Sequence, residues 1–165
     1  MLVNNLILSK LDYGNAVLAA CNVADLNALQ VVMTNAVRFI LDVGKRAHIT
    51  PHLKKLHFLP VKQRILYKLC LIAFKVINKT APLYLNDIFC CYEPTTTMSL
   101  RQSTEIERDT HLLTYAHSNE LSNKCIFKRL TSSWNSLPFT LRTVSDINTF
   151  KKDLKTFFFK QAFES

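Results

Sequence analysis

Pro60-Val-Lys-Gln-Arg-Ile-Leu-Tyr-Lys68-Leu-Cys-Leu-Ile-Ala-Phe-Lys-Val-Ile-Asn78 carries the clearest helical pattern in the chain. Proline is tolerated in a first helical turn but not in a helix interior, so Pro60 opens this segment. Val61, Ile65, Leu69, Ile72, Ala73 and Val76 then recur every three or four residues, which at about 100° per residue gathers them on one broad side of a helix. Upstream, Asn22 with Asp25 three residues on is an N-cap pattern, and Leu26, Leu29, Met33, Ala36, Val37 and Ile40 follow on one helical face, with Gly44 closing the helix. Thr50-Pro51 reads as the cap and first turn of a short helix ending before Pro60. Downstream, a short helical piece over 82–90 leads into the loop Glu93-Pro-Thr-Thr-Thr97. From there to about Ser118 neither helical nor alternating period holds, which predicts an irregular stretch, with room for a short strand pair. Helix resumes near Ser118 and stops before Pro138. A last helix from about Asp146 carries Ile147, Phe150, Leu154, Phe157 and Phe158 on one side. The expected class is mostly α, an array of about five to six helices with an irregular middle, organised as 1–93, 94–118 and 119–165.

Composition narrows the function. The 165 residues are 48% apolar and 20% charged, which suits a folded domain rather than a disordered chain. Gly14 and Gly44 are the only glycines, too few for phosphate loops in which backbone must approach a nucleotide closely. Gly-x-Ser-x-Gly and His-Glu-x-x-His are missing, which argues against the common hydrolases. Five cysteines, Cys21, Cys70, Cys90, Cys91 and Cys125, lack disulfide or zinc spacing and read as reduced thiols. Lys10 follows the N-terminal apolar residues instead of preceding them, unlike a secretory signal, and Lys68, Lys75 and Lys79 interrupt the best apolar run before it reaches membrane-spanning length. The expected location is intracellular, in nucleus or cytoplasm, without a membrane partner.

Several blocks in order carry a family likeness. Leu11-Asp-Tyr-Gly-Asn15, His48 to Lys68, Ala81-Pro-Leu-Tyr-Leu85, Leu100-Arg101, and Trp134-Asn-Ser-Leu-Pro138 with Phe150-Lys-Lys152 resemble the tail of a LINE-type, jockey-like non-LTR retrotransposon reverse transcriptase. Gly14 stands where that family commonly has Cys, and Phe58 where it has Trp. The likeness is poor from Ser103 to Leu121, and Lys124-Cys-Ile126 replaces an Arg, a small residue and Phe. The resemblance implies the end of a polymerase thumb followed by a helical C-terminal segment, with the upstream palm of the parent protein as a partner. That palm carries paired catalytic aspartates, and this chain contains no Asp-Asp pair. It is therefore expected to be inactive alone as an RNA-directed DNA polymerase, without cofactor or metal. Apolar faces before Ile40, left without the palm, are expected to promote self-association.

The net charge is +9. Arg64, Lys68, Lys75 and Lys79 form a narrow line opposite the apolar side of the 60–78 helix, flanked by Tyr67, Leu71 and Phe74, which mixes cations with groups able to stack. Lys151, Lys152 and Lys155 turn away from the apolar face of the last helix. These two lines are the candidate contacts to RNA and DNA phosphates, a grip that is independent of sequence and steeply dependent on salt. Solvated faces, or docking on a membrane surface, would look the same in sequence. His48, His52 and His57 read as surface or capping residues rather than zinc ligands, and Trp134, Tyr13, Tyr67 and Tyr84 as packing residues, with Asn135 and Ser136 satisfying backbone in the turn before Pro138. Three functions fit: a nucleic-acid-gripping, non-catalytic fragment of a retrotransposon polymerase; a helical protein-interaction module; or a relic of a decayed element with no function of its own.

Overall fold

The computed structural model describes residues 4–91, 112–115 and 126–164. It is mostly helical: α1 (Ser9–Asp12), α2 (Val23–Leu41), α3 (Thr50–Lys55), α4 (Val61–Ile77), α5 (Leu83–Ile88), α6 (Ile126–Asn135), α7 (Phe139–Arg142) and α8 (Ile147–Phe163), with a π-helical turn at Asn4–Leu8 and a 3₁₀ turn at Val17–Ala20. Two helices beyond the expected six, α1 and α7, are single turns of four residues, too short to show periodicity. One antiparallel pair, β1 (Phe89–Cys91) with β2 (Leu113–Tyr115), sets Phe89 opposite Tyr115 and Cys91 opposite Leu113. The helix expected to reach Cys90 therefore stops at Ile88, and Phe89 is already a strand residue. Most of the expected irregular stretch 94–118, and the start of the helix expected from Ser118, lie outside the described residues.

Helix ends follow local chemistry. Asn22 caps α2 as expected, its side chain accepting from the Asp25 amide at 2.8 Å. Gly44 does not close that helix: Asp42 does, in the left-handed conformation at φ 50, with the Val43 amide donating to the Arg38 carbonyl at 3.0 Å. Short polar Asp tolerates this conformation, which a glycine-based reading overlooks. Thr50 lies inside α3 rather than capping it; Ile49 is the N-cap residue, with no side-chain hydrogen bond, and Pro51 sits in the first turn. Lys79, at φ 52, ends α4, where the Thr80 amide returns to the Lys75 carbonyl at 2.8 Å. Asp146 accepts from the Thr149 amide at 2.7 Å at the start of α8, and this bond is the main cause that lowers its pKa.

Packing divides the chain into two compact units, residues 1–68 with 152–165, and residues 69–151. The sequence boundary near Pro94 falls within the second of these. In the first unit, Met33 and Val37 of α2, Leu53 of α3, and Val61 and Ile65 of α4 are buried, as are Leu154 and Phe158 of α8. Gln30 reaches from α2 to accept the Val61 amide at 2.8 Å, satisfying a donor at the start of α4 that has no partner within its own helix. Lys54 donates to the Phe163 carbonyl at 2.8 Å, and the His57 ring lies 5.6 Å from that of Phe159.

The second unit is built around aromatic packing. Phe150 stacks on Phe74 with centroids 4.4 Å apart and lies 5.7 Å from Trp134; all three are almost wholly buried. Trp134 is thus a core anchor, as its sequence context predicts. Asn135 acts elsewhere than expected. Its amide accepts from the Leu113 N–H and donates to the Leu113 carbonyl, both at 3.0 Å, so it binds β2 rather than the turn before Pro138, while Ser136 does bond locally, to the Ser133 carbonyl at 2.8 Å. Tyr13 and Tyr84 are exposed, contrary to the packing role read from sequence, and Tyr67 is half-buried with a pKa raised by desolvation.

Cys70 is fully buried, donates to the Ser133 carbonyl at 3.8 Å, and has its pKa pushed up to about 12 by burial. Since the thiolate is the nucleophile, Cys70 is expected to resist alkylation in the folded chain near pH 8 and to be modified only on denaturation. Peptide mapping after iodoacetamide treatment, with half-buried Cys21 as internal reference, checks this.

Candidate nucleic-acid interface

Helix α4 is buried over more of its circumference than the apolar stripe predicts. Cys70 and Phe74, off that stripe, are as buried as Leu69 and Ala73. Phe74 consequently does not flank the cationic line as a stacking platform: its ring is engaged by Phe150. Beyond its first turn, where Lys62 is exposed, the outward strip of α4 narrows to Lys68 and Lys75, two turns apart, and continues to exposed Lys79 just past the end. Their positions at about 340° and 320° relative to Val61 border the apolar side rather than oppose it. The aliphatic stems of these lysines can cover neighbouring apolar surface while the ammonium groups stay in water.

Arg64 is occupied. Its guanidinium forms a two-point ion pair with Asp12, Nε donating to Oδ1 at 2.8 Å and Nη2 to Oδ2, with the arginine side chain only 19% exposed. A planar guanidinium matched to a carboxylate in this way is a geometric clamp. It fixes α1 to α4 within the first unit, and phosphate would have to displace Asp12 to reach it. Sequence spacing cannot show this, because the partner lies 52 residues away.

On α8 the sequence reading and the structure agree. Phe150, Leu154 and Phe158 are buried at intervals of four, and Lys151, Lys152 and Lys155 are exposed. Lys151 also interacts electrostatically with Asp146. By unit, Lys68, Lys152 and Lys155 belong to the first, and Lys75, Lys79 and Lys151 to the second. Of the seven predicted cations, six are exposed, and Arg64 is held by Asp12 at a half-buried position.

His48 and His57 are exposed and His52 is half-buried. No group of three or more His, Cys, Asp or Glu able to hold a metal occurs among the described residues. None of the described helices is long and apolar enough to cross a membrane. The arrangement can offer lysine ammonium groups to an anionic polymer. No protein-family model, curated protein or solved structure matches the chain.

Proposed function

We propose that this chain grips single-stranded RNA or DNA by its phosphates, as a non-catalytic C-terminal segment of a LINE-type retrotransposon polymerase whose active site lies in an upstream palm. The observation that carries the reading is the exposure of Lys68 and Lys75 on an otherwise largely enclosed α4, with Lys79 beyond them. The sequence resemblance supplies the polymer, and the +9 charge is consistent with it. Flexible ammonium groups act as point charges and do not read bases, so the grip tolerates any sequence.

The test replaces Lys68 and Lys75 with Gln and measures binding to unrelated single-stranded oligonucleotides across a salt series. Affinity should fall alike for all sequences, and the slope of log affinity against log salt should flatten by roughly 0.7 for each lost phosphate contact. Lys79→Gly is a useful companion, because it removes a cation while placing glycine where the backbone is left-handed, so weaker binding should come without loss of stability. Arg64→Gln should reduce stability through loss of the Asp12 clamp and leave the salt slope unchanged. Wild-type affinity and slope in the Lys68/Lys75 variant would reduce these cations to a solvated face.

A further inference from the structure

Helix α2 carries a second, uncharged surface. Ala24, Ala28, Val31, Val32, Asn35 and Phe39 are all exposed, and at about 100° per residue they form one strip opposite the buried Met33, Ala36 and Val37. Phe39 is 80% exposed, Val31 57% and Val32 47%. Scattered exposed hydrophobics need no explanation, but an aligned strip does.

Its residues are arranged symmetrically about the peptide bond between Val31 and Val32. At equal distances from that midpoint, Ala28 balances Asn35 and Ala24 balances Phe39, so small residues at one end answer large ones at the other. Turned end for end, a copy of the strip sets each Phe39 over the Ala24 of its mate and gathers the valines around the two-fold axis. This is the self-complementarity that an isologous dimer requires. A parallel pairing would instead abut Phe39 with Phe39 and leave a gap between the alanines.

Charge favours the same orientation. Asp25 and Arg38 flank the strip on its two sides. Parallel helices would set each level with its own copy across the interface, whereas the antiparallel arrangement sets Asp25 level with the Arg38 of the mate and separates like charges by about 20 Å at 1.5 Å per residue, beyond the ~8 Å screening length. We infer that the chain forms an antiparallel homodimer through α2, with its two-fold axis between Val31 and Val32. This inference does not rest on the nucleic-acid reading, and its test contains no nucleic acid.

Interface size places the contact among the weak ones. A helix of 19 residues is about 28 Å long, and a strip one helix wide places the interface near or below the ~1,000 Å² that separates stable from transient complexes. The dimer should therefore be a transient one, populated at high chain concentration and dissociated on dilution.

Sedimentation equilibrium of the full chain up to about 1 mM should show a reversible monomer–dimer equilibrium. Val31→Glu with Val32→Glu crowds four carboxylates at the axis and should weaken the dimer at least tenfold, with circular dichroism unchanged because both positions are exposed. Orientation is tested by Ala24→Glu and Phe39→Lys. Together in one chain they should dimerise more tightly than either does alone, since the antiparallel pairing brings the new opposite charges together. A monomer at all concentrations, an unaltered constant for the valine variant, or a double variant weaker than both singles would each overturn the proposal.

Discussion

Phe150→Ala is expected to destabilise the chain by about 3–5 kcal/mol, the range for removing a buried phenylalanine with incomplete collapse of the cavity. The ring is fully buried, stacked on Phe74 at 4.4 Å and close to Trp134 at 5.7 Å, so its loss strips one face from two other aromatic side chains. Offset stacking adds roughly 0.5–1.5 kcal/mol beyond area, and this part should also be lost in Phe150→Leu, which restores much of the volume. For a domain near 150 residues each 1 kcal/mol lowers the melting temperature by about 2–4 °C, so the alanine variant should melt at least 6 °C below the parent. Thermal unfolding followed by circular dichroism and Trp134 fluorescence measures this. A shift below 2 °C would mean that the aromatic packing is not what holds the second unit.

The ease of reading this core from sequence, and the difficulty of reading the candidate interface, have one cause. Phe150, Leu154 and Phe158 repeat every four residues, and helix geometry alone turns that spacing into a buried stripe. The same rule placed Met33, Ala36 and Val37 correctly, and it missed Ile40 only in degree, since that residue at the end of the face is 38% exposed. A surface cation is defined instead by its neighbours. Arg64 and Lys68, one turn apart, are neighbours on a helical wheel, yet Asp12 engages one and not the other, and Asp12 is brought there by the chain's return through α2 and α3. Phe74 failed in the opposite sense: a position off the local stripe became core because α8 supplies Phe150 to cover it. Periodicity reports the first buried face of a helix. A second face is created by whatever packs there, which a single helix cannot specify.

Asn135 gives the other large effect, for a reason equally remote in sequence. Leu113 is buried, and the structure assigns both its backbone N–H and its carbonyl to the Asn135 amide at 3.0 Å. A primary amide presents a donor and an acceptor side by side, so here it serves as one peptide unit of a neighbouring strand would. Asn135→Ala leaves two buried backbone groups without this partner, and each such loss costs about 1–3 kcal/mol, giving an expected destabilisation of about 2–4 kcal/mol once water reaches part of the site. Asn135→Asp separates hydrogen bonding from shape. The carboxylate still accepts from the Leu113 N–H but sets a negative oxygen against the Leu113 carbonyl, so above its pKa it should be no better than alanine. On acidification the protonated acid recovers a donor, and the deficit relative to wild type should shrink. Denaturant unfolding at pH 7 and near pH 4 distinguishes the cases. If Asn135→Asp matches wild type at pH 7, the amide donor contributes nothing, and β2 is held instead by its pairing with β1.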